Sequence, residues 1–198
     1  MKKIIYLFLT ATIFCYNNSN AQEERKVESF EITENNPYLI NQFVVINKES
    51  MSIEEGFKLV NEWINLAYNT PTIIIKSKIE NDYIKIEVNK TNSPCVNLKM
   101  TTCYDSNYFI TFAFKQDKIK FQVTRLQLNS PKTRSSSGGW SNYNPTYTLL
   151  HKKSYYKNAI EKRISIADGL MTDINDLKND LEKYINNPIK KETSKSDW

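Results

Sequence analysis

Between Tyr108 and Leu128 the chain alternates apolar and polar residues: Tyr108, Ile110, Phe112 and Phe114, then Ile119, Phe121, Val123, Leu126 and Leu128 beyond Gln116-Asp117-Lys118. Successive side chains of a strand point to opposite faces, so this pattern predicts two strands with one face on a core, joined by a polar turn. Any fold for this chain must accommodate that hairpin. A second one precedes it. Tyr83, Ile84, Ile86 and Val88 alternate with Lys85 and Glu87, and the turn residues Asn81-Asp82 connect them to a strand predicted over 72–79 that contains Ile73-Ile74-Ile75. Val96, Leu98 and Met100 alternate weakly, and the β-branched run within Tyr38–Asn47 reads as a buried strand.

Two segments carry helical periodicity instead. Ser52 and Glu55 have the spacing of a capping box, in which the hydroxyl accepts from the backbone N–H three residues on and the glutamate reaches back. The helix that starts there presents Ile53, Phe57, Val60, Ile64 and Ala67 as an apolar stripe, widened by Leu59, Trp63 and Leu66, and Pro71 stops it. Near the C-terminus, Ile160, Ile164, Ala167, Met171, Ile174, Leu177, Leu181 and Ile185 predict one long amphipathic helix over 154–187, or two that meet near Asp168-Gly169. The economical packing is an α+β domain, a sheet with helices on one face, with its core in 38–128.

The chain opens with Met1-Lys2-Lys3, an apolar run from Ile4 to Tyr16 and small residues at Ser19-Asn20-Ala21, the pattern of a secretory signal over 1–21 with cleavage before Gln22. Lipidation at Cys15 is disfavoured by the bulky Phe14 before it. No later apolar run approaches the ~20 residues of a spanning helix, so a periplasmic or secreted product without a transmembrane span is expected. Residues 22–37 read as a loose, acid-rich lead-in, 129–153 as a basic aromatic loop and 188–198 as a polar tail. Cleavage leaves two cysteines, Cys95 and Cys103. In an oxidising compartment they form a disulfide only if the chain folds back between them; otherwise they are two separate thiols packed as small apolar groups.

The order of elements, Asn20-Ala21-Gln22, the strand entering Ser52-x-x-Glu55, the helix carrying Trp63, and the Phe-rich strand that turns through Gln116-Asp117-Lys118 resemble a bacterial exported family of unknown function described as having a TATA-box-binding-protein-like fold. The resemblance covers roughly 38–128. It implies a curved antiparallel sheet with two helices on one face, to which this chain adds a C-terminal helix extension, and it carries no catalytic residues across. The family's turn often contains Gly, whereas Lys115-Gln116-Asp117-Lys118 has none.

Motifs for catalysis are sparse. His-Glu-x-x-His, Cys-x-x-Cys, Gly-x-Ser-x-Gly and phosphate-loop patterns are absent from the sequence, so no cofactor and no metal are expected. The single His151 reads as a surface residue at a helix start, and Asp173 and Asp176 as solvated charges on the last helix, like Asp180 and Glu182. One stretch departs from background. From Lys118 to Ile160 there is no acid, while Lys118, Lys120, Arg125, Lys132, Arg134, Lys152, Lys153 and Lys157 supply eight positive charges in a chain whose formal net charge is +5. Within it, Arg134, Trp140, Tyr143 and Tyr147 are the candidate ligand-binding residues, because aromatic faces beside a cation in a loop can hold a sugar, a peptide or an anion. The expected function is a non-enzymatic exported domain that binds an anionic cell-envelope or extracellular partner. Nucleic acid fits least, given the compartment. The alternatives are a hydrolase-like enzyme with a site assembled from scattered residues, and a homo-oligomer formed through the C-terminal helix.

Overall fold

The computed structural model describes residues 24–132, 137–152 and 157–188. The segment 1–21 expected to be a secretory signal, and Arg134, lie outside the described residues. The elements run β1 (Arg25–Val27), β2 (Gln42–Asn47), α1 (Ile53–Ala67), α2 (Pro71–Ile74), β3 (Ile75–Ile79), β4 (Tyr83–Lys90), β5 (Cys95–Asn97), β6 (Thr101–Cys103), β7 (Asp105–Lys115), β8 (Lys118–Ser130), β9 (Gly139–Asn142), α3 (Tyr147–His151) and α4 (Lys157–Asn186). The main sheet is curved and has the order β1-β2-β8-β7-β4-β3, with β9 also on β8. Its neighbours are antiparallel apart from β1 and β2. The long helices α1 and α4 cover one face, so the C-terminal helix is itself part of the helical layer.

The β7–β8 hairpin forms the centre, with Lys115 opposite Lys118 and the two-residue connection Gln116-Asp117. Asp117 takes φ +60°, the left-handed conformation for which Gly is preferred and which Asp tolerates better than most residues. Its carbonyl accepts from Lys48 N–H and its N–H donates to the Met51 carbonyl, which fixes the hairpin tip to the entry of α1. There the Ser52 hydroxyl accepts from Glu55 N–H at 3.0 Å, while the Glu55 carboxylate pairs with Lys48. Inside, Trp63 meets Phe112 edge-on, Phe112 meets Phe121, and the Trp63 indole N–H donates to Asp180 at 2.8 Å, joining α1 to α4.

Several expectations are corrected. The lead-in is not loose: β1 pairs with β2, Val27 and Phe30 are buried, and the Phe30 backbone exchanges two hydrogen bonds with the Asn175 amide on α4. The buried Gln42 holds the intervening loop, accepting from Glu31 N–H and donating to the Tyr38 carbonyl. Pro71 starts the short helix α2, so the strand predicted from residue 72 begins at Ile75. The region 129–153 is not wholly a loop, because β8 extends to Ser130 and 139–142 form β9. Asp173 is not a free solvated charge, since it pairs with Lys90 and Ser93, whereas Asp180 stays exposed as expected while accepting from the Trp63 indole N–H.

Helix α4 is continuous through Gly169, and its packing explains the glycine. A Cβ at this position would lie 2.5 Å from the Cβ of Pro94. Of the predicted stripe, Ala167, Ile174, Leu181 and Ile185 are buried within the chain, and Ile160, Ile164, Met171 and Leu177 are half-buried. The chain between β5 and β6 reverses direction, which sets Cys95 opposite Cys103 with Cα atoms 4.0 Å apart, joined by a disulfide.

Candidate functional site

Along β8 the buried positions are Ile119, Phe121 and Val123, then Leu126 and Leu128. The change of phase is a β-bulge. Phe109 pairs with Arg125 and Ile110 with Val123, so Thr124 is the extra residue, and both Thr124 and Arg125 emerge on the face away from the helices. A bulge interrupts the ladder and redirects a side chain. This one lies where the other edge of β8 is also uncovered, since β2 pairs no further than Gln122 and β9 begins at Gln127. Tyr143 N–H donates to the Leu126 carbonyl and closes one end of the gap. The result is a cleft of about 530 Å³ with Phe109 and Thr124 in it, Lys85 and Arg125 as its cations, and Ile40, Asn142 and Asn144 among its walls.

Lys85 Nζ lies 4.7 Å and Arg125 Cζ 5.2 Å from the centre of the Phe109 ring. Such contacts contribute about 0.5–1 kcal/mol at exposed sites and leave the N–H donors free to turn outward. Among the described residues, neither cation forms an ion pair. The adjacent carboxylate, Glu87, is already engaged by Lys76 at 2.7 Å and by the Asn107 amide at 2.6 Å. Hydrogen bonds from Lys76 and Asn107, with a smaller contribution from the field of Arg125, hold the Glu87 carboxyl below the usual carboxylate range. Two positive groups over an aromatic floor can attract an anion. The cleft lining contains no acid, His or Cys to act as a general acid, base or nucleophile.

The four candidate ligand residues separate. Arg134 lies outside the described residues. Trp140 sits on β9 and is 51% exposed. Tyr143 lines the cleft but packs against the core, where burial pushes its phenol up to about 12. Tyr147 lies apart, stacked on His151 with ring centres 4.1 Å apart. His151 stands at the end of α3 rather than at a helix start, with Nδ1 3.0 Å from the Tyr147 carbonyl oxygen. Sequence reasoning missed Lys85, Phe109 and the bulge. Arg125 belonged to the acid-free stretch, and the shift from Val123 to Leu126 was the signal for its place.

No protein-family model matches the chain and no curated protein matches it. Solved structures do. A DUF4468 family protein from Bacteroides ovatus superposes with a TM-score of 0.56 at 12% identity, covering 74% of this chain and 85% of that one. A TBP-like protein from Parabacteroides distasonis gives 0.52 at 11% identity, covering 73% of this chain and 91% of that one. The chain has a TATA-box-binding-protein-like fold. In this TBP-like fold the helices take one face of the sheet, and the bulge and its cleft lie on the other side and its rim. At such identities the likeness extends to the fold and not to the chemistry of any residue.

Proposed function

We propose that the mature chain is an exported, non-enzymatic binding domain for an anionic cell-envelope or extracellular partner, and that the cleft at the β8 bulge is its contact site. The observation that carries this reading is the pair of cations, Lys85 and Arg125, that flanks Phe109 without an ion-pair partner among the described residues. The N-terminal signal pattern supports export. Trp140, Tyr143 and Tyr147 keep different roles in this proposal: Trp140 extends the contact surface, Tyr143 shapes the wall and Tyr147 is peripheral, while Arg134, outside the described residues, is given no role. The test is co-purification of the mature protein from its native envelope, beside Lys85→Gln and Arg125→Gln variants of unchanged melting temperature. Loss of the same envelope component in both variants is expected. Equal recovery by wild type and both variants overturns the proposal.

A further inference from the structure

The outer face of the sheet continues past the cleft as an ordered strip. On β8, Arg125, Gln127 and Asn129 are two residues apart and share one face. Their partners on β9 share it too: Asn142 stands opposite Gln127, and Trp140 opposite Asn129. The Gln127 amide donates to the Asn142 carbonyl oxygen at 3.0 Å, which leaves the Asn142 amide N–H groups without an acceptor among the described residues. From Arg125 to Asn129 the strip spans roughly 13 Å. It therefore begins with two cations, continues through the amides of Gln127 and Asn142 and ends at an exposed indole, opposite which the Asn129 amide is engaged by Asp105 at 3.3 Å.

Each part selects a chemical group. The guanidinium of Arg125, with Lys85 beside it, matches a planar carboxylate, and Arg binds such a group through paired N–H donors. Amides of Gln and Asn both donate and accept, which suits a row of hydroxyls better than a row of further charges. The flat Trp140 ring offers an apolar face and a polar edge, the pairing that a sugar ring presents in return. We infer that the strip binds a carboxylate-bearing glycan, a polymer of uronic-acid type, with one carboxylate in the cleft at Arg125 and Lys85, hydroxyls over Gln127 and Asn142, and a ring against Trp140. This inference rests on the binding reading above and names its ligand class.

The test measures binding of the mature protein to oligogalacturonate by calorimetry, with poly-glutamate and neutral dextran as comparison probes. Wild type binds oligogalacturonate more weakly as salt is raised and does not bind dextran. Arg125→Gln weakens binding roughly ten-fold or more, through loss of a charge-assisted hydrogen-bonded pair. Trp140→Ala weakens it several-fold, and Met100→Ser, at an exposed site on the β5–β6 turn, leaves it unchanged. Absence of oligogalacturonate binding overturns the inference, as does binding that neither Arg125→Gln nor Trp140→Ala reduces. Equal binding of poly-glutamate, insensitive to Trp140→Ala, also overturns it and identifies an acidic peptide as the ligand. If oligogalacturonate fails while capture of the envelope component still depends on Arg125 and Lys85, the glycan assignment falls and the binding reading stands. If that dependence fails as well, both fall.

Discussion

Gly169→Ala is a sharp test of how α4 meets the β5–β6 arm. In an isolated helix this change is favourable by about 1 kcal/mol, because glycine loses more backbone freedom and exposes more of the main chain to water. Here the new Cβ would lie 2.5 Å from the Pro94 Cβ, well inside contact distance, and the atom it meets belongs to a ring fused to the backbone. Relieving that overlap requires moving the arm or bending the helix, and overpacking of this kind costs about 1–3 kcal/mol. With the contact so short, the upper end applies, for a net loss of about 2 kcal/mol. In a domain of this size that lowers the melting temperature by about 4–8 °C. Gly56→Ala is the internal control. Its Cβ would meet the flexible end of Met51, with Cε at 3.3 Å and Sδ at 3.4 Å, so most of the helix-propensity gain should survive. Urea unfolding followed by far-ultraviolet circular dichroism measures both. The reasoning is refuted if Gly169→Ala stabilises the protein, or if the two substitutions have the same sign and size.

Two further predictions concern the sheet. Asp117→Gly should stabilise the protein by about 0.5–1 kcal/mol in the same assay, because the residue already adopts φ +60° and glycine enters that region without a steric penalty. The Glu87 carboxyl is held below its ordinary value of 4.5, so its stabilising contribution is complete above that pH and is lost as the pH falls through the lower, folded-state value. Glu87→Gln should therefore melt below wild type at neutral pH, and the gap should close as pH drops below 4.5 in a series of thermal scans. A gap that is constant across the series would show that the carboxylate contributes nothing as a charge.

The elements with strong local signals were readable. The apolar alternation of β7 and β8, the Ser52 cap and the stripe of α1 each depend on residues close in sequence, and each appears where its pattern places it. Contacts between distant segments were not readable. The lead-in is ordered because Phe30 and Asn175 meet across 145 positions, and no local period encodes that pairing. Gly169 leaves one helix or two equally open in the sequence, because a glycine that admits a neighbouring chain looks the same there as a glycine that ends a helix. The segment 139–142 reads as loop because Pro131, three serines, Gly138-Gly139 and Asn144-Pro145 lie in and around it, and its four exposed residues are a strand only through pairing with β8. The cleft falls between these cases. Its bulge was written in the phase shift between Val123 and Leu126, but Lys85 and Phe109 reach Arg125 only through the sheet register.

The central claim is that ligand contact is concentrated at the β8 bulge. Its most direct test is a ¹⁵N-edited nuclear magnetic resonance titration of residues 22–198 with the envelope fraction that the proposed function expects the protein to retain. Amide shifts should cluster at Lys85, Phe109, Thr124, Arg125, Asn142 and Asn144, the residues of the cleft. The account is contradicted if those amides stay still while shifts gather around Tyr147 and His151 or on the β5–β6 turn.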